Sequence, residues 1–105
     1  MKYNKLVRDK IPEQISASGK IAKFRILDDD EYLKYLDKKL EEEVYEYLDS
    51  KDIEELSDIL EVVFAIAKAR NISDEDLFEY RETKAKKRGR YSNKILLERV
   101  EDNNK

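Results

Sequence analysis

Six carboxylate side chains lie in two short clusters near the middle of this 105-residue chain. The members are Glu42, Glu43 and Glu46 in the first cluster and Glu55, Asp58 and Glu61 in the second. On a helix, residues three or four apart share one face, so each cluster forms an acidic stripe. Like charges at this spacing repel one another and weaken an isolated helix, which suggests a bound cation. Oxygen ligands without cysteine or histidine favour Mg²⁺, Mn²⁺ or Ca²⁺ over zinc.

Carboxylates on two facing helices can hold one or two such cations, and this arrangement suits phosphate chemistry. A divalent ion bridges phosphate oxygens and lowers the pKa of a bound water, and a spare carboxylate can accept the proton of that water. Basic side chains near both ends of the chain can hold the remaining phosphates. These candidates are Lys5, Arg8, Lys84, Lys87, Arg88 and Arg90. Together these parts predict metal-assisted hydrolysis of a phosphoanhydride.

The composition excludes several other chemistries. The chain has no cysteine and no histidine, so disulfides, thiolate metal sites and imidazole bases are absent. Residues 28–61 carry 15 acidic residues against four lysines, a net charge of −11, whereas residues 81–94 carry a net +6. Such asymmetry indicates a site for a metal and an anion, and the acidic segment would repel a nucleic acid. We expect a cytoplasmic protein, in keeping with the absence of cysteine. We also expect no membrane segment, because no apolar run reaches membrane-spanning length.

Two long helices must position the acidic clusters. The apolar periodicity predicts helices over residues 30–48 and 51–70, with Asp28 to Asp30 supplying the cap and first-turn acids. Because the connection is short, the helices should be antiparallel neighbours, with both clusters near the turn. The predicted buried stripes are Leu33, Leu36, Leu40, Val44 and Leu48 (or Tyr47) on the first helix, and Ile53, Leu56, Leu60, Val63 and Ala67 on the second.

The remaining elements are shorter. A first helix over residues 11–17 contains Pro12 in its first turn. A third main helix should follow the Ser73 cap and run into the basic stretch before Gly89. Residues 21–27 and 94–99 could pair as a small two-stranded β element. The predicted fold is therefore an all-α domain over residues 1–100, with a disordered tail at 101–105.

The same residues resemble a known family. Glu42-Glu43-x-x-Glu46 followed by Glu55-x-x-Asp58 resembles the signature of the MazG-like all-α nucleoside triphosphate pyrophosphohydrolases. The opening Tyr3 to Pro12 and the run Lys84 to Tyr91 are similar to a phosphoribosyl-ATP pyrophosphohydrolase-like branch. The resemblance implies a helical homodimer or homotetramer. It also implies Mg²⁺-dependent cleavage between the α- and β-phosphates of a nucleotide, releasing a monophosphate and pyrophosphate.

The resemblance also implies roles for single residues. The metal ligands would be Glu43, Glu46, Glu55 and Asp58, with Mn²⁺ as an alternative ion. Glu42 would be an additional ligand or the base that activates water. Tyr91 is the candidate for stacking on the nucleotide base. The family spans several nucleotides, so the substrate stays open.

Simpler interpretations stand beside these predictions. The acidic clusters could be a solvated helix face, and the basic run from Lys84 could complement a helix dipole. Arg8 could form a structural ion pair with Asp9. On this interpretation the chain is a non-catalytic helical module that oligomerises or senses a nucleotide, and its carboxylates serve only solubility.

Overall fold

The computed structural model describes residues 4–103, which form four α-helices and contain no β-strand. The helices are α1 (Ile11–Ala17), α2 (Asp29–Ser50), α3 (Ile53–Ala69) and α4 (Asp74–Arg88). The chain divides into two compact units, with the boundary between Asp74 and Glu75. The all-α prediction is confirmed, and the prediction of one domain over residues 1–100 stays a prediction. Tyr3 of the opening motif and Asn104 and Lys105 of the predicted tail lie outside the described residues.

The first unit is built on an antiparallel hairpin of α2 and α3, as the periodicity predicted. The Asp28 side chain caps α2 by accepting a 2.8 Å hydrogen bond from the backbone N–H of Glu31. Lys51 ends α2 in the left-handed conformation (φ 60°), and Asp52 precedes α3. Because two residues join two helices that pack on each other, the chain reverses direction at Lys51 and Asp52.

The hairpin buries few residues completely. Leu36 of α2 is 2% exposed, and Val62 and Ala67 of α3 are also buried. Leu33, Leu40 and Tyr47 are half-buried, as are most apolar residues of the second half of α3. The fully buried apolar core of the first unit is therefore small and lies away from the turn.

Near the turn, the predicted burial is reversed. Val44 and Leu48 of α2 are exposed, and Glu43 takes the interior position after Leu40. On α2 the interior residue after Leu40 is Glu43, three positions further along, whereas the sequence pattern predicted Val44, four positions further along. The same reversal occurs on α3, where Glu55 and Asp58 are half-buried. The predicted stripe residues Ile53, Leu56 and Leu60 of α3 are exposed.

The predicted β element is wrong, because residues 21–27 and 94–99 contain no strand. Most of the large apolar side chains of both segments are exposed, among them Ile21, Ile26 and Leu96. Two isolated strands are marginal in water unless an apolar face is covered. In the first segment, Arg25 instead donates two hydrogen bonds to Glu31 at the start of α2, at 3.1 and 2.8 Å.

The second unit contains most of α4 and the segment that follows it. Helix α4 begins directly after Ser73, as predicted, and ends at Arg88 before Gly89, which has φ 83°. A left-handed glycine at this point is a common helix stop. Residues 89–103 contain no helix or strand.

Candidate metal centre

The hairpin brings carboxylates from both predicted clusters together. Glu42, Glu43 and Glu46 each offer an oxygen, and these oxygens lie within 4.8 Å of one another. Glu43, Glu55 and Asp58 form a second group that meets the same distance limit. Glu43 belongs to both groups, so it joins the acidic face of α2 to that of α3. The four predicted ligands and Glu42 thus lie in one cluster.

Glu43 is the central residue of this cluster. It is 7% exposed, and its Oε2 atom is buried without a hydrogen-bond partner in residues 4–103. The Oε2 atom of Glu55 is likewise buried without a hydrogen-bond partner in these residues. A buried carboxylate oxygen without a donor is destabilising, and a cation held beside these two oxygens would offset that cost.

The electrostatics of the cluster shift the pKa values of both residues. Burial raises the pKa of Glu43, and the adjacent Glu46 raises it further, while Lys39 acts in the opposite direction. Burial also raises the pKa of Glu55; a hydrogen bond with Glu46 opposes the shift, and the charges of Asp58 and Glu43 add to it. Both carboxyl groups therefore hold their protons more tightly than an exposed glutamate.

Two lysines contact the first group of carboxylates. The Lys39 ammonium lies 3.4 Å from an oxygen of Glu42 and 3.4 Å from Oε1 of Glu43. Lys5 approaches the other Glu42 oxygen at 3.3 Å. Both oxygens of Glu42, the predicted base or additional ligand, are thus in contact with ammonium groups.

The segment before α1 lies against the cluster through Arg8. Its guanidinium donates a 2.8 Å hydrogen bond to Oδ1 of Asp58 and lies 3.8 Å from Glu61. Lys5 and Arg8 were predicted to bind substrate phosphates. In this structure both of them neutralise the carboxylates instead, and their predicted role toward phosphate stays a prediction.

Beside the carboxylates lies a depression of about 330 Å³. Leu6 to Asp9 line this depression together with the apolar residues Leu36 and Val62. Lys39, Glu43 and Asp58 supply the polar surface. A small anionic molecule placed here would lie next to both the carboxylates and the basic segment.

The other predicted site residues belong to the second unit. Lys84, Lys87 and Arg88 line a depression on α4 together with Tyr80. Arg90 donates a 2.6 Å hydrogen bond to Glu82. Tyr91 is 99% exposed. The structure therefore gathers three of the basic residues on one surface, and their predicted contact with phosphate stays a prediction.

Sequence reasoning missed one member of the cluster. Lys39 was not predicted to take part, although it precedes Glu42 and Glu43 by three and four residues and therefore shares their face. That spacing was the available signal. Glu61, by contrast, was grouped with the acidic stripe, and the structure places it beside Arg8.

The donor set fits a hard divalent cation. All candidate ligands are carboxylate oxygens, and two of these oxygens are buried without a hydrogen-bond partner in the described part of the chain. The sequence contains neither cysteine nor histidine. Mg²⁺ and Mn²⁺ prefer such oxygen ligands and complete their shells with water or phosphate.

Comparisons with known proteins identify one relative without a described function. A protein of Mycolicibacterium smegmatis (strain ATCC 700084 / mc(2)155), described as uncharacterized, is 61% identical over 41 residues. The matched stretch covers 39% of this chain and 42% of that protein, so the chain spans less than half of its relative's length. No family model matches the chain, and no solved structure gives a significant match. Among residues 4–103, no helix has the length and apolar content that crossing a membrane requires.

Proposed function

We propose that this protein is a Mg²⁺-dependent nucleotide pyrophosphohydrolase of the MazG-like type. It cleaves the α–β phosphoanhydride of a nucleoside triphosphate or a related nucleotide into a monophosphate and pyrophosphate. The observation that carries the proposal is Glu43, which is shared by two groups of converging carboxylates. It is buried, and one of its oxygens has no hydrogen-bond partner in residues 4–103. The resemblance of the acidic motif to that family supplies the reaction.

The side chains of the first unit have distinct roles in this reaction. Glu43, Glu55 and Asp58 hold the cation, and Glu46 extends the set on α2. A bound Mg²⁺ supplies positive charge to the phosphate oxygens and lowers the pKa of a bound water. Arg8, beside Asp58, is placed to contact a phosphate that approaches the cation.

The proton acceptor must be a carboxylate close to the cation. Glu42 has both oxygens in contact with ammonium groups, so one of these contacts must loosen before Glu42 accepts a proton. Glu46 is exposed beside Glu43, and its hydrogen bond with Glu55 must likewise loosen. These two residues are the candidates for the base.

The test is release of pyrophosphate from a panel of canonical and modified nucleoside triphosphates with Mg²⁺. Glu43→Gln keeps the side-chain shape but removes the shared charged ligand. It should lower turnover by at least the ~100-fold that loss of an outer-shell metal partner costs. It should also abolish the Mg²⁺-dependent rise in melting temperature.

Glu41→Gln is the matched control, because Glu41 is exposed on the same helix and belongs to neither carboxylate group. It should keep activity and the Mg²⁺ response. An absence of turnover across the panel, together with no Mg²⁺-dependent stabilisation of the wild type, would contradict the proposed function.

A second candidate is a non-catalytic helical module that associates through its apolar surface. The exposed apolar residues of α2 and α3 favour association, and we propose a homodimer or homotetramer in either case. The two candidates differ in their response to metal. The module without catalysis predicts indifference to Mg²⁺ and tolerance of Glu43→Gln.

A further inference from the structure

We propose that the ammonium group of Lys39 takes the place of a second divalent cation in the carboxylate cluster. The cluster then binds a single ion, held by Glu43, Glu55 and Asp58. This inference rests on the metal site of the proposed function, and it adds the number of ions and their position.

Two of the three carboxylates in the first group, Glu42 and Glu43, already contact ammonium groups of the chain itself. Lys39 lies 3.4 Å from Glu42 and 3.4 Å from Glu43, and Lys5 contacts the second oxygen of Glu42 at 3.3 Å. No oxygen of Glu42 is therefore without a cationic neighbour. The Lys39 side chain is mostly buried, with 19% exposed, so its charge is poorly screened by solvent.

The second group retains the oxygens that an ion would need. Oε2 of Glu43 and Oε2 of Glu55 are buried without a hydrogen-bond partner in residues 4–103. The Arg8 hydrogen bond to Asp58 uses one oxygen, Oδ1. Lys39 touches this second group only through the other oxygen of Glu43, Oε1.

The shared position of Glu43 explains why a lysine can replace an ion here. In sites with two metals about 3.5–4 Å apart, the ions act as a pair on one substrate. If both groups held ions, Glu43 would bridge them. Lys39 instead places a single positive charge beside Glu43 and Glu42, and that charge repels a divalent ion at the first group.

Mn²⁺ binding counts the ions directly. The full-length chain is titrated with Mn²⁺, and free Mn²⁺ is measured by electron paramagnetic resonance. The wild type should bind one Mn²⁺ per chain. Lys39→Met removes the ammonium but keeps a long side chain, and this variant should bind two. Its spectrum should show coupling between neighbouring Mn²⁺ ions.

Three variants separate this role from a general effect of charge. Lys38→Met removes a neighbouring exposed lysine, which lies over the Tyr35 ring at 5.0 Å, and should bind one ion. Lys39→Arg keeps the charge and should bind one ion. Lys39→Met combined with Glu42→Gln removes a carboxylate from the first group and should return the count to one. Circular dichroism confirms that each variant is helical.

The outcomes distinguish this inference from the proposed function. One ion in the wild type and two in Lys39→Met support the inference. Two ions in the wild type, or one in a folded Lys39→Met, overturn it and leave the metal site intact. No bound Mn²⁺ in either protein overturns both the inference and the proposed function. If Lys39→Met does not fold, the decisive measurements are the numbers of Mn²⁺ ions bound by the wild type and by Lys39→Arg. A second bound ion in either protein overturns the inference.

Discussion

Glu43 couples the charge of the cluster to the stability of the hairpin. Its carboxyl group is buried between two helices, where the ionised form lacks the hydration that an unfolded chain provides. Burial therefore raises its pKa in the folded state, and the same holds for Glu55. Without a cation, ionisation of both groups places two poorly solvated carboxylates close together.

This arrangement predicts how the metal-free protein responds to pH. A carboxyl group with a raised pKa in the folded state binds its proton more tightly when the protein is folded. Its stabilising contribution to the free energy of unfolding is therefore fully present below the pKa of the unfolded state. That contribution is lost as pH rises through the folded pKa. Glu43 and Glu55 should therefore lower the free energy of unfolding as pH rises above the ordinary glutamate value of 4.5. Thermal unfolding in a chelator between pH 4.5 and 8 measures the slope.

The controls for this slope come from the same chain. Glu43→Gln should flatten it and raise the stability of the metal-free protein at pH 7, by about 1 kcal/mol or a melting shift of ~4–8 °C. Glu41→Gln should retain the wild-type slope. Glu31 and Glu82 have pKa values lowered by Arg25 and Arg90, so their contributions are lost only as pH falls below 4.5. A metal-free protein whose stability rises from pH 5 to 8 would contradict the account of Glu43.

Among the elements, the segment before α1 acts on the cluster through Arg8. The Arg8 guanidinium is bonded to Asp58, one of the candidate ligands, and so competes with a cation for that carboxylate. Replacing Arg8 by Gln should therefore tighten Mn²⁺ binding. A unit charge and a divalent ion about 4 Å apart in a water-like medium interact by roughly 2 kcal/mol, which corresponds to about a 30-fold change in the dissociation constant.

The same substitution should act oppositely on catalysis if Arg8 also contacts phosphate. Calorimetry gives the Mn²⁺ affinity, and pyrophosphate release gives kcat/KM, which should fall. Arg25→Gln is the matched control, because Arg25 pairs with Glu31 and lies outside the carboxylate groups. Unchanged or weaker Mn²⁺ binding in Arg8→Gln would show that the Asp58 pair does not compete with the ion.

The helices themselves could be predicted because their signals are local. Pro12 in the first turn of α1, the Asp28 cap of α2 and the left-handed Asn71 (φ 64°) that follows α3 mark helix ends through local hydrogen bonds and backbone angles. The convergence of the two acidic clusters also followed, since two residues of connection bring the turn-proximal ends of α2 and α3 together.

The inner face near the turn could not be read from the same signals. The next interior position of α2 after Leu40 can be Glu43, three residues on, or Val44, four residues on, and hydropathy alone predicts Val44. The structure places Glu43 inside, because the interior of this end is a carboxylate cluster and not an apolar core. For the same reason the pairing of Lys39 with these carboxylates was not predicted. The β element was predicted from short alternation, which does not indicate whether a partner strand covers the apolar face.

At the scale of the whole molecule, burial is reversed around the turn of the hairpin. Carboxylates face inward, while Val44 and Leu48 on α2 and Leu56 and Leu60 on α3 are exposed. A chain in which 45% of residues are charged has few apolar side chains to leave in water. This distribution is consistent with a cation on the inside and a second copy of the chain on the outside.

We therefore expect a homodimer or homotetramer whose interface includes the exposed leucines of the turn. Leu56→Glu and Leu60→Glu place a charge on this surface without altering the residues of the carboxylate groups, and should shift the protein to monomers. Tyr80→Glu, on the exposed surface of α4, is a control that should leave the association state unchanged. Sedimentation velocity at several protein concentrations measures the distribution of monomers and oligomers.

Because α2 and α3 also carry the carboxylates, monomeric variants should bind Mn²⁺ more weakly than the wild type. A wild type that sediments as a monomer at all concentrations would contradict the assembly. Monomeric variants with undiminished Mn²⁺ affinity would show that the metal site is complete in a single chain.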